Sequence, residues 1–364
     1  MDARQNPLWI KGLRAAARAG VVASVLTPGL GCAPDLRGGC GAGQAGCGGG
    51  CGDVTSDPEH CGSCGHSCLG GACVDSVCQP VLLGTGPEHA FDVAVDATDA
   101  YWTSQGPEGA GDGAVSRVSL RDGGVSTPIA VAQPVPRGLA IDDVNVYWAN
   151  SGDGTVMRAP KAGGDAVPFA SEQSPQDIAV DGTYVYWTNF NGQVMKAPVD
   201  GSGAPIELFA GPQTPDGIGL DGAHVYWVNR TDGEVRRAPI DGPGTASALL
   251  HDGPANATDI AVDATHVYWT NFETGEVLKL SKDGSDSAPT VIAGGESSPF
   301  GVAVDSAFVY WANNGSGEVR RAPLEGGAAA TIATGQSGPR RIALDEAAIY
   351  WTNHNRGELM MLAK

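Results

Sequence analysis

Nine cysteines lie in the first quarter of the chain, and their spacing allows two kinds of chemistry. They are Cys32, Cys40, Cys47, Cys51, Cys61, Cys64, Cys68, Cys73 and Cys78, and the rest of the chain contains none. Cys61 and Cys64, with His60 and His66 close by, have the residue types of a zinc site. Disulfides are the favoured alternative, because a structural zinc site normally has two ligand pairs separated by a longer loop. Without Cys32, the other eight suit four bridges, whose pairing the sequence leaves open.

A carboxylate recurs through the remainder of the chain, always five residues before a Tyr-Trp pair. These residues are Asp96, Asp142, Asp181, Asp221, Asp263, Asp305 and Asp345. Acid–base catalysis uses carboxylates, but an aspartate beside a tight turn also accepts hydrogen bonds from the following backbone amides. Because the residue is present in every copy of a repeat, the sequence predicts that it caps a turn.

Other catalytic motifs are absent from the sequence. It has no H-E-x-x-H pair, no Gly-rich phosphate loop after a strand and no Ser-His-Asp motif. His224 and His266 occupy one position of the repeat, just before Val-Tyr-Trp, which favours a packing role. We therefore expect a non-enzymatic protein without a cofactor or a metal. The alternatives are a metal-dependent hydrolase or lyase and a purely structural envelope protein.

Seven copies of one pattern, apolar-x-apolar-Asp-x-x-x-apolar-Tyr-Trp, occupy the chain from residue 93 onward. Their tyrosines, 39 to 46 residues apart, are Tyr101, Tyr147, Tyr186, Tyr226, Tyr268, Tyr310 and Tyr350. A period near 40 residues with several short apolar strands per copy is typical of a propeller blade. The sequence predicts an all-β fold, a seven-bladed β-propeller of four-stranded blades, with six blades as the runner-up.

These patterns divide the chain into three segments. Residues 1–31 combine basic side chains with a short apolar stretch, as in a signal peptide. Residues 32–79 form a Gly- and Cys-rich module, and we expect its Gly-rich part, 38–53, to be a flexible tether. Residues 80–364 form the propeller. Its last copy lacks a fourth strand, and we expect Pro80 to Gly84 to supply that strand and close the ring.

The first segment and the cysteines together predict export, because disulfides persist outside the cytosol. Cys32 follows Gly29-Leu30-Gly31, which resembles a bacterial lipoprotein box and makes Cys32 a candidate lipidation site. Ordinary cleavage after Ala33 with free secretion is the alternative. The formal charge of −19 argues against nucleic acid as a partner, because like charges repel. We expect contact with a membrane only through the lipid anchor.

The repeat resembles the YWTD propellers of the low-density-lipoprotein receptor type and related repeats of bacterial envelope proteins. The resemblance covers residues 80–364 and implies the propeller fold. The last letter of the motif departs from Asp in all copies, at Ser104, Asn150, Asn189, Asn229, Asn271, Asn313 and Asn353. The receptor family has six blades, so its partners are not carried over. The cysteine spacing from Cys61 to Cys78 resembles the repeat of the stigma-specific protein family.

Ligand-binding residues are expected where the blades differ at a shared position. The first strand of each blade should line the central channel, and near its start stand Phe91, Arg137, Gln176, Asp216, Thr258, Phe300 and Arg340. Arginines, an aspartate and two phenylalanines suit a protein, peptide or glycan ligand at the channel mouth. A solvated rim without a ligand is the alternative. The sequence thus predicts a monomeric, exported, lipid-anchored binding scaffold at the bacterial cell envelope.

A second set of side chains recurs on the third strand of each copy. It consists of Arg117, Arg158, Lys196, Arg237, Lys279 and Arg321, with Met361 in the last copy. These cations form either an anion-binding stripe or pairs with nearby carboxylates. We expect the pairs, because the protein is acidic and most surface charges are weakly paired.

Overall fold

The computed structural model describes residues 40, 42–47, 50–107, 111–121, 125–171, 173–211, 213–241 and 247–364. The predicted signal segment 1–31 and the candidate lipidation site Cys32 lie outside these residues. Within them the structure is all-β, apart from a 3₁₀ turn at His354–Arg356. No helix in these ranges is long and apolar enough to cross a membrane.

Two short hairpins precede the propeller. Strand β1 (Gln44–Cys47) pairs with β2 (Gly50–Asp53), and β3 (Cys73–Val74) pairs with β4 (Val77–Cys78). The first hairpin lies within the Gly-rich stretch for which the composition predicts a flexible tether. Backbone pairing needs no side chains, and the bond from Val54 N to Gly43 O, 3.0 Å long, continues the ladder.

Disulfide bonds cross-link the second part of this module, from Cys61 to Cys78, as the cysteine spacing predicts. Bridges join Cys61 to Cys73 and Cys68 to Cys78. Cys64 is disulfide-bonded as well, which rules out the zinc alternative because a bridged sulfur is not available as a thiolate ligand. The other cysteines of the predicted set are Cys40, which is also bridged, and Cys47 and Cys51, whose side chains lie outside the described part of the chain.

The module packs against the propeller. The sulfur atoms of its two described bridges are buried in one apolar cluster with Ile342, Leu344 and other residues of the last two blades. The ring nitrogens of His66 lie 2.6 Å from Cys61 O and 2.7 Å from Lys364 O, so this histidine links the module to the end of the last blade. Apolar and polar contacts together therefore hold the module on the ring.

Seven four-stranded antiparallel sheets follow, which confirms seven blades over six. Blades 1 and 2 consist of β6 (Ala90–Val95), β7 (Asp99–Ser104), β8 (Gly113–Ser119), β9 (Thr127–Gln133), β10 (Pro136–Ile141), β11 (Asn145–Asn150), β12 (Thr155–Pro160) and β13 (Val167–Ala170). Blades 3 and 4 consist of β14 (Pro175–Val180), β15 (Tyr184–Asn189), β16 (Gln193–Pro198), β17 (Ile206–Ala210), β18 (Pro215–Leu220), β19 (His224–Asn229), β20 (Val235–Pro239) and β21 (Ala248–His251). Blades 5 and 6 consist of β22 (Ala257–Val262), β23 (His266–Asn271), β24 (Glu276–Ser281), β25 (Thr290–Ala293), β26 (Pro299–Val304), β27 (Phe308–Asn313), β28 (Glu318–Pro323) and β29 (Ala330–Ala333).

Blade 7 closes the ring in the way the sequence predicts. It contains β30 (Pro339–Leu344), β31 (Ala348–Asn353) and β32 (Glu358–Ala363), and its outer strand is β5 (Val81–Thr85) from the start of the domain. Val81 pairs with Met361 and Thr85 with Glu358. The first strand of every blade contacts the first strands of both neighbours, so these seven strands surround the central channel.

The Tyr-Trp pairs form the apolar contacts between blades. All seven tryptophans are at most 2% exposed, and a buried aromatic ring of this size removes about 150–250 Å² from water. In blade 3, Trp187 Nε1 and Asn189 Nδ2 both donate to Gln173 Oε1, over 3.2 and 2.8 Å. Blades 2, 6 and 7 repeat this arrangement with a Gln or Glu acceptor. It explains why Asn replaces the Asp of the YWTD pattern, since a carboxylate has no hydrogen to donate.

Replacing Asn189 with Asp is therefore expected to destabilise the propeller although it restores the last letter of the YWTD pattern. The side chain is fully buried, and the new carboxylate would face the Gln173 oxygen without a hydrogen bond between them. Losing such a buried bond costs about 1–3 kcal/mol. Urea unfolding of Asn189→Asp would measure the loss, with the exposed Asn355→Asp as the matched control; equal stabilities of the two variants would contradict the prediction.

The tyrosine of each pair bonds the repeated aspartate. The seven phenol oxygens donate to the Asp Oδ2 atoms over 2.7–3.2 Å. The other carboxylate oxygen caps the turn: Asp181 Oδ1 accepts from Thr183 N and Tyr184 N, both at 2.8 Å. The predicted turn cap is thus confirmed, and the tyrosine is an additional partner. Burial and the neighbouring aspartate raise the pKa of all seven tyrosines.

Within the described residues, no member of the predicted third-strand set forms an ion pair with a carboxylate, so that expectation is wrong for this set. Two neighbouring third-strand arginines do form such pairs, Arg236 with Glu234 and Arg320 with Glu296. Arg158 Nη1 donates to Val199 O over 2.9 Å, and Lys279 Nζ donates to Leu324 O over 2.8 Å. Each acceptor is a backbone carbonyl in the turn that follows the third strand of the next blade. Arg117, Lys196 and Arg237 make the same kind of contact. These side chains therefore tie neighbouring blades together and use their donors within the fold.

Candidate functional site

In every blade the pairing between the first and second strands is interrupted near the start of the first strand. The residues at this interruption form the candidate site. Pairing with the second strand breaks between Pro175 and Ile178 in blade 3 and at the equivalent position in the other six blades. A β-bulge of this kind redirects side chains out of the regular ladder. Two residues of each blade lie at the bulge. The first of them forms what we call the inner ring, Phe91, Arg137, Gln176, Asp216, Thr258, Phe300 and Arg340, which is the ring predicted from the sequence.

Four members of the inner ring come together at one side of the channel mouth. The Cζ atom of Arg340 lies 4.2 Å from the ring centre of Phe91 and 4.3 Å from that of Phe300. The two phenyl rings meet edge to face, with centres 6.3 Å apart. Arg137 Cζ lies 5.5 Å from the Phe91 centre. We call these four residues the arginine–phenylalanine cluster.

The other three members of the inner ring have different environments. Gln176 Oε1 accepts a hydrogen bond of 2.6 Å from Arg137 Nη1, which fixes the position of that guanidinium. Asp216 Oδ2 lies 3.7 Å from Arg230 Nη1. Thr258 is fully buried, and its hydroxyl lies 3.1 Å from Thr270 Oγ1 within the channel wall. Gln176 and Asp216 thus adjoin the arginines, whereas Thr258 serves the wall.

A second ring of the mouth was not predicted. It is formed by the residue directly after the Asn or Ser of each motif, Gln105, Ser151, Phe190, Arg230, Phe272, Asn314 and His354. Three of these touch the inner ring: Arg230 faces Asp216, Phe272 packs edge to face on Phe300 with centres 6.3 Å apart, and His354 lies beside Arg340. The residues of this second ring could be identified from the sequence, because each stands directly after the last residue of the repeat motif.

His354 extends the cluster through a hydrogen-bonded chain. Its Nδ1 lies 3.1 Å from Ala90 O, and its Nε2 lies 3.3 Å from Arg340 Nη1. Its ring stacks on His89 at 4.7 Å. Burial, and then the charge of Arg340, lower the pKa of His354 to about 4. The imidazole is therefore neutral at neutral pH, and Nε2 accepts a hydrogen bond from the guanidinium.

The second residue of each bulge forms a buried ring just beneath the mouth. Around the channel it reads Asp92, Gly138, Asp177, Gly217, Asp259, Gly301 and Arg341, so charged residues and glycines alternate. Each aspartate crosses to the next blade: Asp177 Oδ2 accepts from Ile218 N over 3.1 Å. The glycines let the first strand of the next blade approach closely, since a Cβ on Gly217 would lie 2.7 Å from Asp259 Cα.

Arg341 stands where the alternation would place a fourth aspartate, and it offsets part of the negative charge of the three that are present. It is 2% exposed, forms an ion pair with Asp259 through Nη1, and holds Asp177 Oδ2 at 3.4 Å from Nη2. Burial alone would lower the pKa of Arg341, but Asp259, Asp177 and Asp92 raise it. Arg341 is therefore a structural cation whose charge is matched inside the ring.

Arg340 and Arg137 differ from Arg341 because they form no ion pair with a described carboxylate. The charge of Asp216 acts on both, but the ion pair of Asp216 is with Arg230. Within the described residues, the Nε atom of each also has no protein acceptor. Burial, and then repulsion by Arg137 and Arg341, lower the pKa of Arg340 to about 9, which still leaves it charged at neutral pH. Burial also lowers the pKa of Arg137 and raises that of Asp216. The cluster can thus accept an anionic group from outside.

A metal site is not formed by the described histidine, cysteine and acidic side chains. The three of them that lie close enough to share an ion are Cys61, Cys68 and Cys78. Their sulfurs are in disulfide bonds, which leaves no thiolate to coordinate a metal.

Comparison with known proteins shows the fold. No protein-family model and no curated protein matches the chain. Virginiamycin B lyase from Staphylococcus aureus is 14% identical, with a TM-score of 0.64 over 79% of this chain and 98% of the lyase. YCF48 bound to D1 peptide is 9% identical, with a TM-score of 0.62 over 79% of this chain and 94% of that one. A nidogen/laminin complex matches at 24% identity and a TM-score of 0.48, over 59% of this chain and 87% of that one, which is too loose to support the receptor-type assignment.

Proposed function

We propose that this protein is a non-enzymatic binding propeller that takes a ligand at the channel mouth. The observation that carries the proposal is Arg340, which is held between Phe91 and Phe300 and forms no ion pair with a described carboxylate. A guanidinium on aromatic faces whose charge is not paired within the fold is well suited to recognition. The cations of the predicted third-strand set and Arg341, in contrast, interact with partners within the fold.

A protein or peptide ligand agrees with what is known of a protein of the same fold. YCF48, whose propeller superposes on this one, is bound to a D1 peptide. The likeness concerns the fold alone, so the ligand must be argued from the mouth itself. Phe190, which is 57% exposed, and the partly exposed Phe272 offer apolar surface at the mouth. Such a surface suits a peptide or a glycan, because aromatic side chains and arginine dominate binding energies.

A lyase or hydrolase is the second candidate, and the stacked pair of His89 and His354 favours it. A variant of virginiamycin B lyase with one histidine replaced by alanine is catalytically inactive. In this chain both Nδ1 atoms bond backbone carbonyls, and His354 Nε2 faces Arg340. Burial and Arg340 lower the pKa of His354 to about 4, which makes it a weak general base at neutral pH. We therefore rank binding above catalysis.

A thermal-shift screen of the full chain against short peptides, sugars and divalent metals tests this function. A ligand should raise the unfolding temperature of the wild type and of Arg356→Gln, which removes an arginine that is 69% exposed in the same mouth turn. The shift should disappear in Arg340→Gln. Without ligand this variant should stay within about 4 °C of the wild type, because no carboxylate loses its partner. A shift with a divalent metal alone, or a ligand shift kept by Arg340→Gln, would contradict the proposal.

The place of action that we propose is the bacterial cell envelope, reached by export and a lipid anchor on Cys32. The disulfides at Cys61 and Cys68 support an oxidising compartment. Mass spectrometry of the N-terminal peptide of the protein from its native cells would test the anchor. A diacylated Cys32 supports it, and a free N-terminus at Pro34 refutes it.

A further inference from the structure

We propose that the arginine–phenylalanine cluster binds a carboxylate whose neighbouring group is apolar or aromatic. The inference rests on the binding function proposed above and specifies the chemistry of the ligand. Three features of the mouth carry it: the unmatched positive charge, the charge of the layer beneath, and the phenyl rings beside the guanidinium groups.

The positive charge is concentrated around one phenyl ring. The Cζ atoms of Arg340, Arg137 and Arg341 lie 4.2, 5.5 and 6.0 Å from the centre of Phe91. Arg341 is matched by Asp259 and Asp177, but the other two arginines are not. Their Cζ atoms are less than about 10 Å apart, because both are close to the same ring centre, and this is near the Debye length in dilute salt. An anion between them would relieve their repulsion.

The layer beneath the mouth limits how much negative charge the site accepts. Arg137, Arg230 and Arg340 face Asp216 at the mouth, whereas the buried ring holds three aspartates and one arginine. Four positive and four negative charges therefore balance over the two layers. An anion gains from the local excess of positive charge at the mouth, and the three aspartates beneath reduce that gain. The preference for a carboxylate over inorganic phosphate comes from the apolar group that accompanies the carboxylate, because inorganic phosphate has none.

The geometry of the cluster adds a preference for an apolar neighbour. An arginine presents a planar fork of donors that suits the two oxygens of a carboxylate. Phe91, Phe300 and Phe272 form a chain of edge-to-face contacts beside that fork. Phe91 and Phe300 are almost fully buried, whereas Phe272 is partly exposed, so the aromatic surface that a group next to the bound carboxylate would contact is that of Phe272. A peptide that ends in an apolar residue and a small aromatic acid share this chemistry.

Calorimetric titration of the full chain with matched acids and amides tests the inference. The probes are N-acetylphenylalanine and its amide, a tetrapeptide ending in Phe with a free or an amidated carboxyl end, and glucuronate and inorganic phosphate as anions without an aromatic group. We expect each acid to bind at least about 10-fold more tightly than its amide, because a desolvated charge pair is lost in the amide. The tetrapeptide arm distinguishes a peptide end from a small acid as the source of the carboxylate.

Variants of the cluster connect the preference to its residues. Arg340→Gln and Arg137→Gln should reduce the preference for acid over amide by at least about 10-fold, and Phe91→Leu should weaken acid and amide alike. Arg356→Gln, with the same change of charge at the same mouth, should keep the wild-type preference. Arg340→Lys keeps the charge but not the fork, and we expect it to recover only part of the binding.

The possible outcomes distinguish the carboxylate inference from the binding function on which it rests. Equal binding of acid and amide, or phosphate binding as tightly as the acids, would overturn the carboxylate inference and leave a binding mouth in place. No binding by these probes, together with a screen that gives no Arg340-dependent ligand, would overturn both.

Discussion

Raising the pH from 10 to about 11 is expected to unfold the propeller in one steep transition. Each of the seven repeat tyrosines is buried and donates its phenol hydrogen to an aspartate, and both effects raise its pKa above the ordinary 10.0. In the unfolded chain these phenols ionise near pH 10. A group whose folded pKa is raised keeps its stabilising effect below the unfolded pKa and loses it as the pH rises toward the folded pKa.

The size of this effect follows from the number of tyrosines. Each phenol that stays protonated only in the folded state costs about 1.4 kcal/mol of stability for every pH unit above 10. Seven of them remove roughly 10 kcal/mol per unit, which is comparable to the whole stability of a typical domain at 5–15 kcal/mol. Tyrosinate absorbance near 295 nm and the loss of native circular dichroism should therefore change together.

Two controls keep the alkaline experiment specific. A return to pH 8 within minutes should restore the native spectrum, which separates tyrosine ionisation from slow damage to the disulfides. Tyr350→Phe should move the transition to higher pH, whereas Phe in place of the partly exposed Tyr184 should leave it unchanged. Tyrosinate absorbance that develops around pH 10 while the native spectrum persists would contradict the prediction.

Replacing Arg341 with Met should destabilise the propeller by about 3–5 kcal/mol, the cost of breaking a buried ion pair from one side. The variant keeps most of the side-chain volume but leaves Asp92, Asp177 and Asp259 buried at 0–4% exposure without their cation. Urea unfolding at neutral pH measures the change, and Arg356→Gln provides a surface arginine whose removal should cost less than about 1 kcal/mol.

A second substitution tests whether charge is the cause. Asp259→Asn in the Arg341→Met background removes a carboxylate that has lost its ion pair with Arg341 and leaves an oxygen that can still accept from Val302 N. We expect it to recover at least about 1 kcal/mol of the loss, although Asp259→Asn alone should destabilise the wild type. A loss in Arg341→Met no larger than in Arg356→Gln would show that the buried ring does not depend on its arginine.

Features that arise within one repeat could be predicted from the sequence, whereas contacts between neighbouring blades could not. The period and the Tyr-Trp pairs predict seven blades, and the missing last strand predicts closure by residues 80–84. The partners of Arg158 and Asp177 could not be predicted, because Val199 and Ile218 lie about 40 residues away in the next blade. The hairpin formed by Gln44–Cys47 and Gly50–Asp53 was not predicted either, because backbone pairing forms it and the side chains do not indicate it.

The adjacent arginines 340 and 341 show why the site itself was only partly predictable. The residue type is the same, yet Arg340 stands unmatched at the mouth while Arg341 is buried among aspartates. The bulge that separates their environments is a feature of strand pairing, and the sequence does not reveal it. The inner ring could be proposed from its variability, but His354 joins it from a turn that only the folded blade brings close.

Two kinds of residue can alternate around a closed ring without a mismatch only if the number of members is even. With seven blades, two of the same kind must be neighbours, and here they are blade 7 and blade 1, where Arg341 and Asp92 meet in place of an aspartate and a glycine. A six- or eight-bladed ring of the same blades would have no such junction. Arg340 and Phe91 stand directly above it, so the odd number of blades gives a repetitive ring one position unlike all the others, and the cluster occupies it.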